Sequence, residues 1–171
     1  MKTLIYLFVL LSFALPNVQA SEININSDVK RQGLTFWRAL ANLETNKMKS
    51  FYSSEVILIA GSELLRKKYG INPSGNRKNH FKLSKEQIIK GYENMINDID
   101  SNKWKIAFSK INLDKIIFQS AREYEKHFGE LKTDDMMMIV SYPAPSDEKL
   151  YFIFSKKQDN TWLITHEATD Y

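Results

Sequence analysis

Leu150-Tyr151-Phe152-Ile153-Phe154-Ser155-Lys156, a turn at Gln158-Asp159-Asn160, and Thr161-Trp162-Leu163-Ile164-Thr165-His166-Glu167-Ala168 stand near the end of the chain. Side chains on a strand alternate between its two faces. Leu150, Phe152 and Phe154 therefore share one face of a strand, and Trp162, Ile164 and His166 share one face of the next. Asp159 and Asn160 suit a tight turn, because their short polar side chains bond to nearby backbone. A third run, Met136 to Tyr142, precedes them and ends at Pro143-Ala144-Pro145-Ser146. The last forty or so residues are thus expected to form an antiparallel meander. One face of such a sheet is apolar and has to be covered by another layer.

The covering layer is found upstream. Between Ser27 and Asn46, Val29, Gly33, Phe36, Leu40 and Leu43 recur every three or four residues, the period of a helix with one buried face. Ser27 is expected to cap its start, with Asp28 in the first turn. Lys47 to Tyr52 reads as one or two further helical turns, and Val56 to Ala60 as a buried strand closed by Gly61. Ser62 to Tyr69 forms a brief helix stopped at Gly70. The polar stretch Asn72 to Lys82 reads as a surface loop. Ser84-Lys85-Glu86-Gln87 is a capping box, followed by the helical stripe Ile88, Ile89, Tyr92, Met95, Ile96 and Ile99 and a turn at Ser101-Asn102. From Lys103 the period changes to two, with Trp104, Ile106 and Phe108 alternating in a further strand that continues past Ile111 and Leu113. In 121–131, Ala121, Tyr124, Phe128 and Leu131 sit at helical spacing with Gly129 as a stop, although a ragged hairpin fits as well. Helices first and an antiparallel sheet last define a single α+β domain over residues 21–171.

Residues 1–20 have a different character. Met1-Lys2-Thr3 leads into an apolar run from Leu4 to Leu15, broken by Pro16-Asn17 and followed by Val18-Gln19-Ala20. A basic start, a short apolar core and a small-x-small end make up a secretory signal peptide, cut after Ala20. The run is about twelve residues, against the roughly twenty of a spanning helix, so no membrane span is expected after cleavage. The domain is expected in the periplasm or outside the cell. The absence of cysteine rules out lipoprotein attachment and disulfides alike. The net charge of +4 becomes +3 once Lys2 is removed, and the cations are scattered apart from Arg66-Lys67-Lys68 and Arg77-Lys78. That pattern speaks against a nucleic-acid partner.

Two stretches carry a resemblance. Phe36-Trp37-Arg38-Ala39-Leu40, followed by Phe51-Tyr52-Ser53 and the strand Val56 to Ala60, resembles the opening helix pair and first strand of the nuclear-transport-factor-2-like superfamily, which includes SnoaL-like and ketosteroid-isomerase-like proteins. Asn160 to Glu167 resembles its closing turn and last strand. The resemblance implies a cone-shaped fold in which N-terminal helices pack on the concave face of a curved, mainly antiparallel sheet. It also implies a small apolar ligand in a concave pocket and a homodimer through the exposed sheet face. Tyr52, Tyr92 and Tyr142 could line the mouth of such a pocket, each an apolar ring with a polar tip. Trp37, Trp162 and His166 complete the set of possible ligand contacts.

No catalytic signature accompanies them. His80, His127 and His166 form no metal-binding pair, no glycine-rich loop cradles a phosphate, and neither a serine elbow nor a cysteine nucleophile is present. No metal or cofactor is expected. The reading is an exported, non-catalytic domain that binds a small ligand or a protein partner. The alternatives are a pocket enzyme moving protons, for which ketosteroid isomerases supply no matching residues here, and a secreted inhibitor or immunity-type protein.

Overall fold

The computed structural model describes residues 17–72, 79–98, 106–142 and 148–169. The apolar N-terminal run, Ser101-Asn102, Trp104 and Pro143-Ala144-Pro145-Ser146 lie outside the described residues. Helix α1 (Asn17–Ala41) buries Val29, Phe36 and Leu40. It begins ten residues before the expected cap, so Ser27 is an interior position. It ends in a left-handed residue, Leu43 (φ 59°), with the amides of Leu43 and Glu44 returning to the carbonyls of Leu40 and Ala39. Helix α2 (Thr45–Lys49) and strand β1 (Tyr52–Ala60) follow. Helix α3 (Ser62–Tyr69) stops at Gly70, whose φ of 66° suits glycine because it has no Cβ to clash.

Strand β2 (Asn79–Ser84) occupies part of the stretch expected to be a loop. It lies on an edge of the sheet and pairs only with β1, so polar His80 and Lys82 are tolerated there. The capping box of helix α4 (Lys85–Asp98) forms as expected: the Ser84 amide donates to Gln87 Oε1 at 2.8 Å and the Gln87 amide to Ser84 Oγ at 3.2 Å. Residues 106–109 make a helical turn, not the expected strand, and only Phe108 of its apolar pair is buried. Ile106 remains 55% exposed. Strand β3 (Ile117–Ser120) is short. A 3-10 turn (Arg122–Tyr124) and helix α5 (Glu125–Phe128) settle the open region 121–131 as helical, ending at Gly129. Strands β4 (Met136–Ser141), β5 (Lys149–Lys156) and β6 (Trp162–Thr169) form the meander.

The six strands run in the order β2-β1-β6-β5-β4-β3, antiparallel except for β1 beside β6. The sheet is curved, and register shifts in the β1–β6 and β5–β6 ladders supply local bends. The helices cover one face, where Phe36, Trp37, Phe152, Phe154 and Trp162 meet in a single core. This is the α+β arrangement the sequence implied. The other face is not bare. Phe128 and Ala121 pack over Ile59, Met137, Ile139 and Ile153 as a second, smaller core.

Helices α3 and α4 cross where Gly91 faces Tyr69: a Cβ on Gly91 would lie 2.2 Å from Tyr69 Cε1. Alanine gains roughly 1 kcal/mol over glycine in a helix interior, but overpacking a contact costs about 1–3 kcal/mol. Gly91→Ala is therefore expected to lower the urea midpoint, and an unchanged or higher midpoint would show that α3 and α4 are not packed this closely.

Candidate functional site

The arrangement of polar groups in the interior follows from one irregularity in β6. Ile153 pairs with His166, whereas its neighbour Phe154 pairs with Ile164, so Thr165 is an extra residue on β6. An inserted residue turns every side chain beyond it to the opposite face. Trp162 and Ile164 face the helices, but His166 does not join them; it points to the outer face, its ring 6.4 Å from that of Phe128. The expectation that Trp162 and His166 share a face fails for this reason. Glu167 takes the inward position.

Inside, Glu167 is 1% exposed and meets three donors. Tyr52, the first residue of β1, donates to Oε2 at 2.8 Å. Tyr92 of α4 donates to Oε1 at 2.7 Å, and Lys68 of α3 reaches the same oxygen at 3.1 Å. The Lys68 ammonium also lies 3.3 Å from the centre of the Tyr92 ring, a cation–π contact. Asn94 Nδ2 donates to the Lys68 carbonyl at 3.2 Å, fixing α3 to α4. Four elements thus converge on one carboxylate.

Burial, reinforced by the charge of Glu167, holds the Tyr52 and Tyr92 hydroxyls well above the ordinary phenol range, so both stay protonated donors. Burial lowers Lys68 from the usual ammonium value, and Glu167 opposes that shift. Removing a carboxylate and an ammonium from water costs several kcal/mol each, and the pair is tolerable only when the remaining lone pairs are satisfied. The two tyrosines do that. The cluster's groups are 1–4% exposed and both Glu167 oxygens are engaged by the protein, so its chemistry is that of a polar staple.

The six residues singled out in the sequence do not form one pocket. Tyr52 and Tyr92 meet at Glu167. Trp37 is buried against Phe108 with ring centres 5.1 Å apart, and the Trp162 carbonyl accepts from Gln32. Tyr142 stands at a separate cleft beside Lys110 and Lys115. His166 lies on the outer face. Sequence reasoning missed Glu167 and Lys68; the available signal was one acid inside an apolar strand and one lysine on the buried side of a short helix.

The outer face carries a cleft of about 390 Å³. Its floor is a row of paired residues across four strands: His80 on β2, Ile59 on β1, Ala168 on β6 and Tyr151 on β5. Helix α5 overhangs the row, with Phe128 6.0 Å from the Tyr151 ring. Lys126 and His127 stand at its rim and Thr169 at its end. The Thr169 hydroxyl, on the inward side with its ladder partner Leu150, is buried and has no partner among the described residues. Beneath Phe128, His166 Nδ1 is 3.0 Å from Thr165 Oγ1, while its Nε2 is buried without a partner among the described residues. No group of three metal-ligating side chains occurs among the described residues.

The chain is similar to a solved structure described as a SnoaL-like polyketide cyclase from Shewanella putrefaciens CN-32. The two are 14% identical over 92% of this chain and 90% of that one, with a TM-score of 0.36. No protein-family model matches the chain, and no curated protein matches it.

Breaking a buried ion pair by removing one partner typically costs about 3–5 kcal/mol, whereas replacing both with apolar groups of similar size is often tolerated. Glu167→Ala should therefore destabilise by about that amount in urea, and the double variant Lys68→Met/Glu167→Leu should recover only part of it, because the Tyr52 and Tyr92 hydroxyls lose their acceptor in both. A loss below about 1 kcal/mol in the single variant would sink the staple.

His166 gives a second test. Burial lowers its pKa, the Asp135 carboxylate opposes the shift and His80 adds to it. Its folded pKa lies below the unfolded value of roughly 6.5, so its stabilising contribution is complete above that pH. The contribution is lost as pH falls through the depressed folded value. The fall in urea midpoint between pH 7.5 and 5 is expected to be smaller in His166→Gln than in the parent; equal falls would refute the assignment.

Proposed function

We propose that the chain is an exported, non-catalytic domain that binds a small molecule in the outer-face cleft. The observation that carries this reading is the cleft itself. A volume of about 390 Å³ with an apolar floor and a few polar groups is the form ligand sites usually take. The helix-covered face, where the fold resemblance led us to expect a pocket, is occupied by Phe36, Trp37, Phe152 and Phe154, with ring contacts such as Phe36–Phe152 at 5.0 Å. Proton-transfer chemistry on that face would need a carboxylate within reach of a substrate, and Glu167 is instead held by Tyr52, Tyr92 and Lys68. Export rests on the sequence of residues 1–20, and cleavage after Ala20 would leave α1 from Ser21 onward.

Native mass spectrometry on protein recovered from the periplasm or medium tests both parts. The expected spectrum shows a chain starting at Ser21 with an added mass of a few hundred daltons. That added mass should disappear in Ala168→Trp, which puts an indole onto the floor of the cleft. A chain retaining Met1 would overturn export, and an adduct indifferent to Ala168→Trp would overturn the location.

A further inference from the structure

We infer that the ligand of the outer-face cleft is a small amphipathic anion, an apolar body carrying one carboxylate. The inference rests on the binding reading above and adds the chemical class. Three features of the cleft point to it. The floor between Ile59, Ala168, Tyr151 and Phe128 offers carbon and ring surface. The described lining residues include three nitrogen-bearing side chains, His80, Lys126 and His127, and no carboxylate. The charged and imidazole groups lie at the edges of the apolar strip: His80 at the β2 end, and Lys126 and His127 on the overhanging segment.

The dimensions set the size of the apolar body. His80 and Tyr151 are separated by three strand intervals, β2 to β1 to β6 to β5. At ~4.8 Å per interval this is about 14 Å. A medium-length acyl chain lies along such a strip while its head reaches one end. Ammonium and imidazole N–H groups donate to a carboxylate, and a charge-assisted hydrogen bond is the stronger kind. A neutral head of the same size gains less at that rim. A cationic head meets Lys126 with like charge.

The test uses three probes with one apolar body: octanoate, octanol and octylamine, titrated into the full mature protein by calorimetry and followed by backbone amide shifts. Octanoate is expected to bind about tenfold or more tighter than octanol, as one charge-assisted hydrogen bond provides, with octylamine weakest. The shifts should centre on Ile59, Phe128, Ala168 and Thr169. In Lys126→Gln/His127→Gln, two exposed positions, the octanoate-to-octanol ratio should fall toward one. Equal binding of octanoate and octanol, or preference for octylamine, would overturn the anion class while leaving a ligand cleft in place. Shifts centred on Tyr142 and Lys115 would overturn the location. Failure of all three probes to bind would overturn the class and, with a clean native mass, the binding reading as well.

Discussion

The extra residue at Thr165 is the constraint on which the two faces of the sheet depend. Without it, His166 would enter the aromatic core beside Ile164, and Glu167 would lie outside under Phe128. With it, a carboxylate meets Tyr52, Tyr92 and Lys68, while an imidazole lies on the side of the small cleft. Thr165 is also held in place by its own bonds: its hydroxyl lies 3.0 Å from Ser155 Oγ and 3.0 Å from His166 Nδ1. An unpaired backbone segment in a bulge needs such side-chain anchors, because it forgoes ladder hydrogen bonds.

The carboxylate so placed ties together parts of the chain that apolar contact alone would position loosely. Tyr52 begins β1, Lys68 is in the last turn of α3, Tyr92 is midway along α4, and Glu167 is near the end of β6. Apolar packing tolerates small slips, since one aliphatic contact resembles another. A carboxylate with three donors at 2.7–3.1 Å does not. Any shift of α3 leaves either the ammonium or the carboxylate buried and unmatched, which is the costliest state available in a low-dielectric interior. Gly91 works toward the same end by letting Tyr69 lie directly on α4.

Elements controlled by local chemistry were legible in the sequence. The capping box at Ser84 and Gln87, the stop at Gly70 and the three strands of the meander depend on residues close together in the chain. Elements controlled by partners were not. The β2 strand is polar because it lies at an edge, and polarity in sequence reads as loop. Trp104, Ile106 and Phe108 alternate like a strand, yet 106–109 coils into a helical turn that buries Phe108 against Trp37. The site was legible in part. Tyr52 and Tyr92 were visible as amphipathic aromatics, but Glu167 was not, because strict alternation places it outside. One inserted residue defeats any argument from period two, and nothing in Thr165 itself announces the bulge.

The two faces also differ in how their polar groups are partnered. On the helix side, Glu167 and its partners account for one another. On the outer side, His166 Nε2 and Asp135 Oδ1 are buried without partners among the described residues. Asp135 belongs to the same region, since its carbonyl accepts from the Ala121 amide and its other carboxylate oxygen from the Lys132 amide. Buried polar atoms are costly unless a protein group, ordered water or another molecule satisfies them. On the outer side these groups lie near the open apolar strip where we propose that a small molecule binds.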